Sequence, residues 1–513
     1  MNCLDLYKFL NSNKAIAYFV FLFFGSIQSG CTTVGPDYVP PTMAMPDKFN
    51  KAPENFKSAK TEDSKTESTK LEKKEKPKLV EPKDLVKWWK TLDDTLLSSL
   101  VQRAVKGNLD LKLAQSRVRE ERARRGVARA DRFPTVTGNT GAARQQSSDQ
   151  TGFPGQTNSL YNAGFDATWE ADLFGGIKRS VESATASVEA SQEALNDTLV
   201  TLVSEAALNY VEIRTFQARL AAAQKNQKAQ EATFQLVLDR LEAGITTTLT
   251  LEQARYNLES TKSQIPTLRI GFEQAMNRLS GLLGKFPGSV NDDLKKFKRI
   301  PVTPIDVVVG VPADVMRRRP DVRQAERKLA AQTAQIGVAT AELYPKLQLL
   351  GSVGLESTSM SSLFTGGAGA FSIGPKITWN IFNAGRVRNN IKIQNEKQEQ
   401  AMISYEASIL TALNDVENSL IAYADEQIRR QALIRSTEAS QRAVNLSREL
   451  YVSGLKDFLS VLEAERSLFS FQDQLAVSEG AVVSNLIRLY KALGGGWEPI
   501  RDNSQEQAKV PTS

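Results

Sequence analysis

Histidine is absent from this chain, cysteine stands only at positions 3 and 31, and proline is missing from two very long stretches. Each absence closes something off. Without imidazole there is no Ser-His-Asp or Cys-His catalysis and no histidine-ligated metal. Two cysteines build neither a disulfide framework nor a four-thiolate zinc site. No stretch reaches the roughly 20 apolar residues of a membrane-spanning helix. Gly494-Gly495-Gly496 lacks the Lys-Ser/Thr that completes a phosphate-binding loop. The carboxylates include no pair in an apolar, pocket-like context, so acid–base catalysis has no candidate. No catalytic residue, metal site or cofactor is expected, and the chain reads as something other than an enzyme. A net charge of +7 on 513 residues is mild, and by itself it does not point to nucleic acid.

The first thirty residues read as an export signal. Lys8 and Lys14 form the positive flank of a mostly apolar run from Ala15 to Ile27, too short to span a bilayer. It ends at Ser29-Gly30-Cys31, which resembles a bacterial lipobox with Cys31 as the lipidated residue. Gln28 stands where that pattern has an aliphatic residue, so cleavage nearby with an unmodified cysteine is the alternative. Thr32 follows, not Asp, which in the lipoprotein sorting pattern favours the outer membrane. Residues 51–83 are dominated by Lys, Glu, Ser, Thr and Pro and bury too little apolar area to offset their ordering entropy. They are expected to form a disordered tether.

The remainder is duplicated, with a period of about 210 residues, too long for a solenoid. Gly244 matches Gly454, Leu283-Gly284 matches Leu493-Gly494, Phe133-Pro134 matches Tyr344-Pro345, and Trp169 matches Trp379. No proline interrupts Gly155 to Ile265 or Lys376 to Glu498, and apolar residues there recur at threes and fours in a coiled-coil-like stripe. A helix from Gly176 to Gly244, or from Gly385 to Gly454, runs about 100 Å. The two glycines are natural stops, and a second helix is expected to return antiparallel. Pro266 is expected to kink the first return helix.

Between short leading helices and these long ones lie strands. Tyr161, Ala163, Phe165, Ala167, Trp169 and Ala171 alternate with polar residues or glycine, and so do Phe371, Ile373, Ile377, Trp379 and Ile381. Partner strands are expected near Thr135–Arg144 and Leu347–Glu356. The pattern fits a soluble sheet packed on helices or a barrel with lipid outside and water inside. Its occurrence twice beside such long helices favours the barrel. Four strands cannot close one, and open edges are not tolerated in lipid. Several chains must then share a barrel continued by a tube of their long helices.

The arginines from Arg117 to Arg132 are interleaved with Glu120, Glu121 and Asp131, a solvated helix face and no nucleic-acid site. The expected division is 1–30 signal, 31–92 anchor and tether, 93–300 first repeat, 301–496 second repeat and 497–513 tail. The repeats hold hairpins at 133–174 and 345–382 and long helices at 176–284 and 385–494.

Gly30-Cys31-Thr32-Thr33-Val34-Gly35-Pro36-Asp37-Tyr38, Val311-Pro312-Ala313-Asp314-Val315-Met316-Arg317-Arg318-Arg319-Pro320-Asp321-Val322-Arg323 and Ala341-Glu342-Leu343-Tyr344-Pro345 resemble motifs of the TolC-type outer-membrane efflux channels, in the lipoprotein branch that works with RND pumps. The resemblance covers residues 30–497. It implies an α+β membrane protein: a homotrimer with a twelve-stranded transmembrane β-barrel, four strands per chain, and an α-barrel of antiparallel helical hairpins in the periplasm. It further implies a periplasmic adaptor (membrane fusion protein), an inner-membrane RND transporter and outer-membrane lipid as partners. A periplasmic gate falls on Leu459 and Glu463, with Arg466 one helical turn beyond as a salt-link candidate. The adaptor-docking turns fall on Gly244, Ile245 and Leu249, and on Gly454 and Leu455. The residues alone leave Glu463 open as a solvated surface charge and Leu459 as a coiled-coil core residue. A passive efflux conduit is the favoured reading; a type I protein-secretion conduit and a non-pore periplasmic scaffold are the alternatives.

Overall fold

The computed structural model describes residues 33–43, 46, 49, 85–148, 150, 155, 157–301 and 317–497. Cys31, the export segment, the whole tether at 51–83, Val311–Met316 and the tail beyond residue 497 lie outside them. A 3-10 turn at Trp88–Leu92 precedes α1 (Thr95–Gly107), α2 (Leu109–Ala130), β1 (Thr135–Gln146), β2 (Thr157–Ala171), α3 (Gly176–Glu242), α4 (Thr248–Leu282) and the short α5 (Asn291–Leu294). The second half runs α6 (Pro320–Ala341), β3 (Lys346–Ser357), β4 (Gly369–Thr378), α7 (Arg386–Val452) and α8 (Phe458–Ala492).

The duplication is visible element by element. α2 and α6 both have 22 residues, α3 and α7 both 67, and α4 and α8 both 35. Each long helix ends in the same way. Gly244, Gly284, Gly454 and Gly494 all adopt positive φ. The amide after each glycine donates to the carbonyl five residues back, as in Ile245 to Arg240 (2.8 Å) and Leu455 to Leu450 (2.8 Å). That closure satisfies carbonyls the helix leaves unpaired.

Pro266 does not interrupt its helix: α4 runs unbroken through it. Ile265 and Leu268 are buried while Pro266 is exposed, so the carbonyl deprived of its N–H partner faces outward, where water can reach it. The strand expected to reach Ile381 stops at Thr378; Ala384 and Gly385 then take positive φ and turn the chain into α7.

The four strands form one antiparallel sheet in the order β1-β2-β3-β4. Register sets the alternation: Val136, Ala167, Gly351 and Ile373 stand side by side, as do Gly138, Phe165, Val353 and Phe371. Those two rows are apolar, and so are Leu347, Leu349, Leu355 and Ile377 on the same face, while the opposite face carries Asn139, Asp166, Ser352 and Ser372. No described helix is long and apolar enough to cross a membrane.

Packing divides the described residues into two compact units. One is drawn from Met1–Pro41, Val118–Ser191 and Ala325–Tyr405, the other from Thr42–Arg117, Gln192–Gln324 and Glu406–Ser513. They are not the two repeats, since each repeat gives residues to both. The first unit holds the sheet. The second holds Trp88, fully buried and stacked on Tyr490 at 5.4 Å, and the helix turns.

Candidate functional site

Two features carry chemistry, one in each unit. In the sheet-bearing unit the apolar face is bare. Phe371 is 82% exposed and Ile373 85%, and Val136, Phe165, Val353 and Ile377 are exposed with them. A soluble sheet buries such a face against helices; this one turns it outward. At the strand ends, the Trp169 indole donates to the Arg132 carbonyl (2.9 Å) and its repeat counterpart Trp379 to the Leu343 carbonyl (3.0 Å). Phe174 stacks on Tyr344 at 4.6 Å. Aromatic rings with one polar end, grouped at the end of an apolar band, make the girdle of a lipid–water boundary.

The described N-terminal strap is pinned in the same unit. Arg179, 3% exposed, donates to the Val34 carbonyl (3.2 Å), the Gly35 carbonyl (3.1 Å) and the Asp37 carboxylate (2.7 Å). Val34 donates its amide to Phe174 O (3.1 Å), and Lys178 Nζ donates to Thr33 Oγ1 (3.0 Å). Gly35 lies so close to the Gly337 backbone that a Cβ would clash. Tyr38 donates to Glu326 (3.1 Å) under the Arg327 guanidinium; burial and the Glu326 charge raise the Tyr38 pKa. Arg179→Met should free the strap, speeding hydrogen exchange at the Val34 amide by roughly 10- to 100-fold for the loss of about 1.5–3 kcal/mol. Unchanged exchange would show that Arg179 does not hold it.

In the other unit the helix turns form a tip. Val237, Leu251, Ala254, Tyr451, Phe458, Val461 and Leu462, drawn from α3, α4, α7 and α8, make its core. Ile245, Leu249 and Leu455 are exposed, and nothing stands near a Cβ built at Gly244 or Gly454. The predicted turn residues thus form apolar knobs on left-handed glycine corners, where a side chain meets only the strain of positive φ. Asp457 caps α8, accepting from the Ser460 amide (3.2 Å) and hydroxyl (2.8 Å). These bonds, the hydroxyl's first, hold its carboxyl below the usual range.

Leu459, Glu463 and Arg466 lie on one exposed stripe of α8. Leu459 is no in-chain core residue, and Glu463 has no ion pair among the described residues. Within the chain, Arg466 bridges two helices. Its Nε donates to Asn257 Oδ1 (3.3 Å) and its guanidinium lies over the Tyr256 ring at 4.9 Å. It ties α8 to α4 without a carboxylate.

The salt link at this level belongs to Glu465 instead. Only 5% exposed, Glu465 accepts from Arg448 Nη2 (2.7 Å), Thr233 Oγ1 (2.8 Å) and Asn257 Nδ2 (3.4 Å). Arg448 also reaches the Ala229 carbonyl (3.2 Å). One carboxylate thereby joins α3, α4, α7 and α8. The sequence held the signal: Phe458, Val461, Leu462, Glu465 and Leu468 form one buried stripe, and a charge inside such a stripe demands partners.

A family model described as outer membrane efflux protein matches residues 100–285 and 311–495. The chain is 32% identical over 488 residues to Nodulation protein T of Rhizobium leguminosarum bv. trifolii, covering 93% of this chain and 97% of that protein. It is 31% identical over 473 residues to the probable outer membrane lipoprotein SilC of Salmonella typhimurium, covering 92% and 97%. Among solved structures, the outer-membrane channel OprN matches with a TM-score of 0.82 at 34% identity, covering 91% of this chain and all of that one. With the bare apolar sheet face, the aromatic girdle and the paired helical hairpins, these matches place the chain in the outer membrane efflux protein family.

Proposed function

We propose that the protein is the outer-membrane conduit of a tripartite efflux system, a homotrimer that receives small molecules from an inner-membrane RND transporter through a periplasmic adaptor. The observation that carries this is the four-stranded sheet, apolar and exposed on one face, polar on the other, and open at both edges. Such a sheet is stable in lipid only when other copies close it into a barrel. The probable lipoprotein among the relatives and the pinned strap beginning at Thr33 support lipidation at Cys31, which ties the chain to the membrane.

At the tip, Leu459 and Glu463 from each copy form an apolar and an acidic ring that restrict the periplasmic mouth, and Arg466 braces α8 behind them. The knobs Ile245, Leu249 and Leu455, on the Gly244 and Gly454 corners, dock the adaptor. Rings of carboxylates in a narrow pore favour cations. Energy comes from the partner pump.

The test is conductance. Purified protein in planar bilayers is expected to pass cation-preferring currents, and Glu463→Ala should lower the cation-to-anion permeability ratio several-fold. A water-soluble monomer giving no currents would sink the conduit reading and leave the scaffold. A deletion strain that keeps efflux but loses secretion of a protein would favour the secretion conduit.

A further inference from the structure

The strand ends that carry the aromatic girdle also sort the charges around them. A cavity of about 460 Å³ opens there on the polar side of the sheet, between Thr135, Thr168 and Gln348 and the helix ends. The carboxylates nearest these strand ends, Asp131, Glu170, Asp172 and Glu342, all line it together with Lys346. On α3, Gly176, Ile177 and Ser180 face the cavity, while Lys178, Arg179 and Glu182 leave the opposite side of the helix, where the strap lies. On α6, Val338, Ala341 and Glu342 face the cavity and Gly337 faces the strap. Away from the cavity is therefore the side of the bare apolar sheet face.

The duplication carries these outward positions to the other two helices. Lys178, Arg179 and Glu182 on α3 correspond to Arg388, Asn389 and Lys392 on α7, and Gly337 and Thr340 on α6 to Gly126 and Arg129 on α2. On α3 and α6 these groups are occupied within the chain: Lys178 on Thr33, Arg179 on Glu182 and Asp37, Thr340 on the Ile336 carbonyl. On α7 and α2, Arg388, Lys392 and Arg129 are exposed, and none has an ion pair among the described residues. A Cβ built at Gly126 meets nothing within 4 Å, whereas one at Gly337 is crowded. A lysine stands where α3 has its glutamate, and an arginine where α6 has a threonine. Packing does not require these charges, because the other half of the molecule folds without them.

The girdle fixes their level. Arg132 holds the Trp169 indole on its carbonyl, and Arg129 lies three residues further along, about 5 Å at the helical rise. Ile381 and Phe382 are exposed just before α7; Arg388 stands in the first turn of that helix and Lys392 one turn on. The first carboxylate of α7, Glu396, is about 12 Å beyond Arg388. The polar layer of one leaflet is roughly 5–8 Å deep, and long basic side chains lay their stems along apolar surface while the charge reaches into that layer. Three cations thus stand on the lipid side at the depth of the headgroups, and the acids are kept on the other side.

We propose that Arg129, Arg388 and Lys392 bind the phosphates of anionic phospholipids in the periplasmic leaflet. This rests on the reading of the sheet as part of a membrane barrel and adds a lipid preference to it. Charge complementarity and continuity with the girdle name the occupant: a guanidinium pairs a phosphate through two parallel hydrogen bonds, and the girdle already marks where lipid phosphates lie. The strap covers the corner formed by α3 and α6, and anionic lipid takes the outward positions of α2 and α7.

Spin-labelled lipids test this in the full chain, reconstituted in phosphatidylcholine vesicles with traces of labelled phosphatidylglycerol or labelled phosphatidylcholine. The immobilised fraction is expected to show a roughly fivefold preference for phosphatidylglycerol, shrinking at high salt. Arg129→Gln, Arg388→Gln and Lys392→Gln together should bring the two lipids to near parity, and Arg129→Lys with Arg388→Lys should keep most of the preference. Arg122 shares the outward side of α2 with Arg129 but lies about 10 Å further from the strands, so Arg122→Gln should change nothing. A preference undiminished in a triple variant that inserts and conducts normally overturns the site. An equal loss in Arg122→Gln overturns it too, because the attraction then belongs to the whole basic helix. Oligomers of the triple variant that fall apart in lipid-free detergent, where those of the native sequence persist, would assign the three residues to contacts between copies instead. A native chain that never enters vesicles overturns the barrel reading and the lipid site with it.

Discussion

Val353→Arg is expected to keep the chain out of the outer membrane, while Ser352→Arg, one residue earlier on the same strand, leaves insertion intact. The two side chains leave opposite faces of β3. Val353 stands between Phe165 and Phe371 on the bare apolar face, and Ser352 between Asp166 and Ser372 on the polar one. An arginine on the lipid side of a barrel costs about 2–4 kcal/mol near the bilayer midplane, and on the water-filled side almost nothing. Each copy in the assembly bears that cost, so oligomer yield should fall steeply. Membrane fractionation with a heat-modifiability gel reads both variants. Normal insertion of Val353→Arg alongside failure of Ser352→Arg would mean the faces are assigned the wrong way round.

The second large effect is expected at the tip, from a residue outside the exposed gate stripe. Glu465→Ala removes the carboxylate that joins four helices and leaves the Arg448 charge with only the neutral Ala229 carbonyl and Thr233 hydroxyl as acceptors. Breaking a buried pair from one side is far costlier than deleting both partners. Arg448 is partly exposed, and this lowers the expected loss to about 2–3 kcal/mol. The α7 and α8 ends should then exchange amide hydrogens faster by one to two orders of magnitude, and bilayer conductance should rise several-fold as the tip loosens. The double change Glu465→Leu with Arg448→Leu should recover much of the protection, because it leaves no unpaired charge. If the single change leaves both exchange and conductance untouched, the Glu465 cluster does not hold the tip closed.

These two predictions differ in how far the sequence alone could reach them. Strand alternation is strictly local: each residue faces opposite to its neighbours, so Val353 and Ser352 separate on sight. The Glu465 cluster is not local. Thr233, Asn257 and Arg448 come from three other helices, and nothing in their spacing indicates that they converge. The in-chain contacts of Arg466 are non-local in the same way. Helix periodicity puts Glu463 and Arg466 on one stripe, but the side chain turns across to Asn257 and Tyr256 on α4.

Length, the missing histidine, the duplication, the proline-free stretches, the glycine stops and the alternating strands were fixed in the sequence, because each depends on residue type or on a period of two, seven or one repeat. They sufficed for the fold and for the absence of a catalytic candidate. Only the tertiary structure decided that Arg179 clamps the strap and that α4 continues unbroken through Pro266. It alone showed that the buried charge of the tip is Glu465. Those outcomes depend on which distant backbone lies within about 3 Å of a side chain, a distance set by packing between helices that no sequence spacing encodes.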